Sequence, residues 1–98
     1  MRRPSIPLLE AERLAKLHAY EVLDTPTEAM FDDIVALAAS ICQTPISAIS
    51  LIDSDRQWFK ASLGLASREG ARETSFCGHT INEEAGLLIV EDALLDPR

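Results

Sequence analysis

Cysteines, glycines and long apolar runs are all scarce in this sequence, and each shortage excludes a class of protein. Two cysteines and four glycines occur in 98 residues, which is too few thiols for a small disulfide scaffold and typical of a reducing compartment. No segment approaches the roughly 20 apolar residues of a membrane helix. The first ten residues also lack the apolar run of an export signal. We therefore expect a cytoplasmic protein without a membrane partner.

Basic residues are scarce as well. Nine Lys and Arg stand against sixteen Asp and Glu, which gives a formal net charge of -7. Such a field repels phosphate backbones, so nucleic acid is not an expected partner. Neither standard phosphate-binding glycine spacing occurs, and no cofactor is expected. The hydrophobic fraction of 47% is ample for the core of one domain of this length.

Two helices are predicted in the first half of the chain. After a tail over residues 1–7, a helix is expected over residues 8–22, with a narrow apolar stripe that would pack on one neighbour or pair with a second chain. Thr25, Pro26 and Glu28 have the spacing of a capping box and predict the start of a second helix. Its apolar face recurs at steps of three and four and consists of Phe31, Ile34, Val35, Ala38, Ile41 and Cys42.

Residues 45–64 predict a β-hairpin at the centre of the fold. Residues 46–52 are apolar or small at every position, which is typical of a strand covered on both faces in the middle of a sheet. Asp53 and Asp55 suit the tight turn, and this role is favoured over a cation site. Residues 57–63 alternate, with Phe59, Ala61 and Leu63 on one face and Trp58, Lys60 and Ser62 on the less apolar one.

The last third of the chain predicts a loop, a short helix and a strand. Residues 64–73 combine two glycines with charge and are expected to be an exposed loop. Ser75 is placed to cap a short helix over residues 76–81, in which Gly78 costs about 1 kcal/mol relative to Ala. Residues 87–90 are typical of a short buried strand. The order helix, helix, strand, strand, short helix, strand predicts an α+β fold with an antiparallel sheet and flanking helices.

Several motifs, taken together and in order, resemble the start of a GAF domain. They are LDTP at 23–26, FDDIV at 31–35, TPI at 44–46, SLID at 50–53, RQWFK at 56–60, SFC at 75–77 with His79, VEDA at 90–93 and DPR at 96–98. The resemblance is to the type found at the N-terminus of bacterial sensor histidine kinases and of cyclic-di-nucleotide cyclases or phosphodiesterases. It implies an N-terminal tail and helix over residues 1–25 and the N-terminal portion of a GAF-like sensory domain over residues 26–98.

The resemblance also implies a function. Such domains have a six-stranded, mostly antiparallel sheet with helices on one face and a small-molecule pocket on the other. They sense a ligand or mediate a homodimer, without catalysis of their own, and pass the signal to an output kinase or cyclase domain. The further strands and that output domain are expected beyond Arg98. The pocket candidates are Trp58, Phe76, Cys77, His79 and Thr80. A purely structural dimerisation piece is the alternative.

Cys77 is the candidate for chemistry. With His79 two residues on and a helix start just before it, the thiol is a candidate redox switch; the alternative is a packed structural thiol, as free cysteines usually are. Family members that attach bilins use a Cys followed directly by His, and Gly78 intervenes here. Cys42 and His18 complete no compact zinc spacing with these residues. No metal site and no catalytic residue is therefore predicted.

Overall fold

The computed structural model describes residues 2–98 and shows the predicted α+β class. The elements are α1 (Glu10–Ala19), α2 (Ala29–Cys42), β1 (Ser47–Ile52), β2 (Arg56–Leu63), β3 (Glu69–Ala71), a 3-10 turn (Arg72–Thr74) and α3 (Phe76–Thr80). The strands form one antiparallel sheet in the order β1-β2-β3. Since β2 is the central strand and β1 lies at an edge, the prediction that the first hairpin strand occupies the middle is wrong.

A β-bulge explains why the predicted alternation of β2 fails. Ala61 and Phe59 pair with consecutive residues of β1, so Lys60 between them has no residue opposite it. An extra residue of this kind bends a strand and disturbs its alternation. Lys60 and Ala61 are therefore both buried although they are neighbours, and Trp58 is buried as well. The prediction that Trp58 and Lys60 lie on the less apolar face of the strand is wrong, and Leu63, which was assigned to the more apolar face, is exposed.

The sheet has helical structure on both faces. Ser50 lies on one face, where its Oγ donates to Cys77 Sγ of α3 at 3.4 Å. Lys60 reaches the start of α2 on the opposite face: its ammonium donates to the Pro26 carbonyl at 2.7 Å and lies 5.7 Å from the centre of the Phe31 ring. The sheet thus separates α2 from α3.

The start of α2 differs from the prediction. Its N-cap is Glu28, and no side chain caps the helix. Thr25 Oγ1 instead donates to the Val22 carbonyl and accepts from Lys60 Nζ at 2.8 Å. The predicted capping box is wrong because a buried lysine from the sheet recruits Thr25. The helix ends at Cys42, with Gln43 in the left-handed region at φ 52°.

Only part of the predicted apolar face of α2 meets the sheet. Of this face, Val35 is buried and Phe31 is half-buried, and Ala39, which was not predicted to belong to it, is buried as well. The remaining members of the predicted face are exposed: Ile34, Ala38, Ile41 and Cys42. The helix is apolar at most positions, so its sequence periodicity did not define which stripe faces inward.

The third strand lies earlier in the chain than predicted. Residues 64–73, expected to be an exposed loop, contain β3 and the buried Arg72. Residues 87–90 form no strand, and Leu87 and Ile89 are exposed. The predicted order is wrong at this point, because β3 is short and polar and is held by pairing with β2 instead of by its own apolar pattern.

The predicted helix over residues 8–22 is confirmed in its central part as α1. Glu10 and Glu12 occupy its first turn and Lys16 and His18 its last, so its charges complement the helix dipole. No residue of α1 is buried. Across residues 2–98, no helix has the length and apolar character needed to cross a bilayer.

Candidate functional site

The candidate site is a largely apolar groove of about 470 Å³ between α1, β1 and α3, here called the Cys77 groove. This volume lies in the range of small-molecule sites, about 300–1,000 Å³. The groove opens on the face of the sheet opposite α2. Its walls are Arg13, Lys16 and Leu17 of α1 with Tyr20 at the C-cap of that helix, Ser50, Leu51 and Ile52 of β1, and Cys77, Thr80 and Ile81 at α3.

The position of α3 is fixed by a hydrogen bond at its N-cap and by close packing of Gly78 against Pro4. Ser75 Oγ accepts from the Gly78 N–H at 3.0 Å, which confirms the predicted N-cap. Gly78 is buried, and a Cβ at this position would lie 2.6 Å from Pro4 Cγ. Close packing against the N-terminal segment therefore explains the glycine inside a helix. The cap and the contact together present Cys77 and Thr80 to the groove.

Cys77 lies in a hydrogen-bonded chain that favours the packed thiol. Gln57 Nε2 donates to Ser50 Oγ at 3.2 Å, and Ser50 Oγ donates to the sulfur at 3.4 Å. His79 does not complete a Cys-His pair here, since its Nε2 lies 3.0 Å from the Arg2 carbonyl. The Ser50 hydroxyl and the sulfur are thus hydrogen-bonded to each other at the floor of the groove.

The α1 wall is attached through charged side chains. Arg13 donates twice to the Glu10 carboxylate, at 2.8 and 2.9 Å, and also to the Ile52 carbonyl at 2.6 Å. Arg72, buried beneath α1, donates to the same carboxylate, with Arg72 Nη2 3.2 Å from Glu10 Oε2. Arg72 Nη1 also donates to the Asp53 carbonyl at 3.0 Å. Ion pairs thus replace the apolar burial that α1 lacks.

A second cluster joins α1 and the following connector to the hairpin turn. Asp53 Oδ1 lies 2.9 Å from His18 Nε2, and its other oxygen accepts from Arg56 Nε at 3.1 Å. Burial raises the pKa of Asp53, but hydrogen bonds to His18, a backbone N–H and Arg56 outweigh that effect and leave it below its ordinary value. The carboxylates of Asp24, Glu69 and Asp53 raise the pKa of Arg56. The turn role of Asp53 therefore extends to holding the end of α1.

The Glu10 ion pair makes a prediction about pH. Hydrogen bonds from Arg13 and then Arg72 lower the pKa of Glu10 from 4.5 to about 2, against the smaller effect of burial. A carboxyl whose pKa falls on folding stabilises the fold above its unfolded pKa, and this contribution disappears as the pH falls from about 4.5 towards 2. We expect Glu10→Gln to lower the free energy of unfolding at pH 6 by about 1–3 kcal/mol, and the difference from wild type to shrink at pH 3.

Urea denaturation at the two pH values measures this effect, with the single Trp58 as the fluorescent reporter. Glu12→Gln is the matched control, because Glu12 is exposed on the same helix. A difference between Glu10→Gln and wild type that stays constant from pH 6 to pH 3 would contradict the assignment.

The structure brings two of the five sequence-predicted pocket residues to the groove, Cys77 and Thr80. Trp58 is buried in β2, with the Arg68 guanidinium 4.7 Å from its ring. Phe76 begins α3 and accepts from Thr80 Oγ1 through its carbonyl. His79 lines a separate, polar cavity with the N-terminal segment. Ligand binding by any of the five stays a prediction.

The groove residues on α1 were not predicted. Arg13, Lys16, Leu17 and Tyr20 recur at i, i+3, i+4 and i+7, so they form one helical stripe. That spacing is the sequence signal that could have identified them. Arg72 has no comparable signal, because it lies among charged residues in a segment without periodicity.

No protein-family model matches the chain. The chain is 42% identical over 98 residues to a cyclic di-GMP phosphodiesterase of Pseudomonas aeruginosa. The alignment covers 100% of this chain and 16% of that protein. The chain therefore resembles a short segment of a signalling protein and spans a minor part of its length.

Within residues 2–98, no group of three or more His, Cys, Asp or Glu side chains could hold a metal ion.

Proposed function

We propose that the chain is the N-terminal portion of a GAF-type sensory module in bacterial signal transduction, which binds a small molecule in the Cys77 groove. The observation that carries this proposal is the groove itself, which lies on the sheet face opposite α2. A helix layer on one face and a ligand cavity on the other is the arrangement that the sequence resemblance implies. The module has no catalysis of its own and acts on an output domain.

The relative supports the signalling context. Its similarity runs along the whole of this chain, although the chain covers 16% of that cyclic di-GMP phosphodiesterase. A segment of that size is suited to a regulatory part of a larger enzyme. Ligand binding would act by favouring one of two arrangements of the groove walls. The α1 wall is the mobile element in this mechanism, because it carries no buried residue.

A thermal-shift screen of nucleotides, amino acids and other metabolites tests the proposal. A ligand at 100 times its dissociation constant adds about 2.7 kcal/mol of stability, which raises the midpoint of a domain of this size by roughly 10 °C or more. We expect Thr80→Trp to abolish the shift by filling the groove. Thr74→Trp is the matched control, since Thr74 is exposed outside it.

The sensory proposal fails if no metabolite raises the midpoint. It also fails at this site if the ligand shifts Thr80→Trp as much as Thr74→Trp. Isothermal titration calorimetry of any hit then gives its stoichiometry, which should be one ligand per chain.

A second candidate function, homodimerisation, is favoured by the outer face of α2. Four large apolar side chains on this face are 51–72% exposed and are spaced by four, three and four residues: Met30, Ile34, Leu37 and Ile41. This is the spacing of a coiled-coil seam, through which a helix can pair with a copy of itself. The proposed interface is therefore α2, in place of the first helix considered from sequence.

Light scattering coupled to size exclusion tests the dimer. We expect a dimer for the wild-type chain and a monomer for Leu37→Glu, because a carboxylate in the seam would lose its hydration on pairing. Leu94→Glu replaces a leucine outside the seam that is even more exposed than Leu37, and this variant should remain dimeric. A wild-type monomer at all concentrations would remove this function.

A further inference from the structure

The Cys77 groove has few polar groups free to meet a ligand. Ser50 Oγ is engaged by Gln57 and by the sulfur of Cys77, and Thr80 Oγ1 donates to the Phe76 carbonyl. Four other wall residues are aliphatic: Leu17, Leu51, Ile52 and Ile81. A ligand lying along this floor is therefore recognised mainly through apolar surface.

Two cationic side chains, Arg13 and Lys16, lie on the α1 side of the groove, and only Arg13 has a carboxylate partner in the described part of the chain. Arg13 directs its guanidinium at Glu10 and at the Ile52 carbonyl. Lys16, one turn further along the helix, forms no ion pair with any carboxylate of residues 2–98. Lys16 is exposed and lines the groove together with the aliphatic walls.

Most basic residues of this chain, unlike Lys16, have a carboxylate partner within residues 2–98. Six of its nine basic residues pair with carboxylates, namely Arg3, Arg13, Arg56, Lys60, Arg72 and Arg98. Sixteen acidic side chains are available for such pairs. Lys16 is the groove cation that an external anion can reach without displacing an internal carboxylate.

We propose that the groove binds a small amphiphilic anion, with the apolar body against β1 and α3 and the anionic group at Lys16 Nζ. This inference rests on the proposed sensory function and names the class of its ligand. Tyr20 lies one turn beyond Lys16 on the same stripe, and its exposed ring extends the apolar surface beside the anionic group. A neutral ligand of the same shape binds more weakly because it leaves the ammonium without a partner.

Two probes of equal chain length test the charge requirement, octanoate and octan-1-ol, both kept below the concentrations at which they aggregate. Occupancy is measured as protection of Cys77 from iodoacetamide, resolved by mass spectrometry. Cys42 provides an internal control, because it is exposed on α2 and lies outside the groove. We expect octanoate to slow the alkylation of Cys77 at lower concentration than octan-1-ol, and to leave Cys42 unchanged.

Variants at Lys16 test the assigned cation. Lys16→Gln should weaken octanoate binding roughly two- to five-fold, the scale of a solvent-exposed ion pair, and should leave octan-1-ol binding unchanged. Lys16→Glu should weaken octanoate further. Arg2→Gln removes a cation outside the groove and should have no effect on either probe.

The outcomes separate this inference from the proposed function. Equal protection by both probes, with no effect of Lys16→Gln, overturns the anion preference and leaves the groove as a ligand site. Protection by neither probe, while a neutral metabolite from the screen protects Cys77, also overturns the inference alone. If neither probe nor any screened metabolite protects Cys77, the inference and the proposed function fail together.

Discussion

Replacing Arg72 with methionine is expected to release α1 and to lower the free energy of unfolding by about 2–4 kcal/mol. Arg72 is 4% exposed, and its guanidinium donates to Glu10 and to the carbonyls of Asp53 and Ser54. Methionine keeps the length of the side chain and removes these donors, so the two carbonyls lose a partner. Glu10 still accepts hydrogen bonds from Arg13. The loss of stability is therefore smaller than for a buried charge that has no partner at all.

Urea denaturation measures the stability loss, and hydrogen exchange measures the release. Amides of residues 10–19 should exchange faster in Arg72→Met, while those of α2 should change only with global stability. Arg3→Met is the matched control, because Arg3 forms an exposed ion pair with Glu73 and should change stability by at most about 1 kcal/mol. Equal losses in Arg72→Met and Arg3→Met would contradict the structural role of Arg72.

Arg72→Lys separates charge from geometry at this site. Lysine restores the charge but not the planar fork that spans a carboxylate and two carbonyls. We therefore expect a stability between those of wild type and Arg72→Met. The same series should enlarge access to the Cys77 groove, since α1 forms one of its walls.

The parts of the fold that were predictable from sequence are those specified by neighbouring residues. The 45–64 hairpin, the end of α2 before Pro45 and the Ser75 cap of α3 all follow from patterns within a few residues. Turn chemistry, caps and strand composition act locally, so the sequence displays them directly.

The parts that were not predictable depend on partners far along the chain. Arg72 is buried because Glu10 and the hairpin turn, which are 62 and 18–19 residues away, provide its acceptors. Lys60 is buried because a bulge turns it inward and acceptors from residues 25–28 meet it. β3 forms because β2 offers it an edge. A one-dimensional pattern assigns charged residues to the surface by default, so each of these positions was misplaced.

The candidate site was predictable to a similar extent. The family resemblance predicted pocket residues in the α3 segment, and α3 does border a groove through Cys77 and Thr80. The opposite wall comes from α1, whose position depends on the contacts of Glu10 with Arg72 and of His18 with Asp53, both later in the chain. A stripe on an exposed helix becomes a cavity wall only when such contacts fix its position.

The second large effect on stability is expected at the ion pair between Lys60 and Glu28. The Lys60 side chain is 2% exposed, and its ammonium contacts Glu28 Oε2 at 2.6 Å, in addition to Thr25 and the Pro26 carbonyl. Glu28 itself is 59% exposed. Removal of the glutamate therefore leaves a buried cation with neutral acceptors only, whereas removal of the lysine leaves a carboxylate that water can solvate.

This asymmetry predicts an order of stabilities for three variants. Glu28→Met should lower the free energy of unfolding by about 2–3 kcal/mol, because a buried charge without its counter-ion is strongly destabilising. Lys60→Met should lose about 1–2 kcal/mol, chiefly from the unpaired Pro26 carbonyl. The double variant should be more stable than Glu28→Met alone, since the second change removes the uncompensated ammonium.

Urea denaturation of wild type and the three variants forms a double-mutant cycle. Glu21→Met is the control for replacing an exposed glutamate by methionine and should change stability by no more than about 0.5 kcal/mol. If the double variant loses the sum of the two single losses, Lys60 and Glu28 are not coupled, and the connector is held by Thr25 and Pro26 alone. If instead the double variant recovers stability relative to Glu28→Met, the buried ammonium is charged in the native state and Glu28 is its counter-ion.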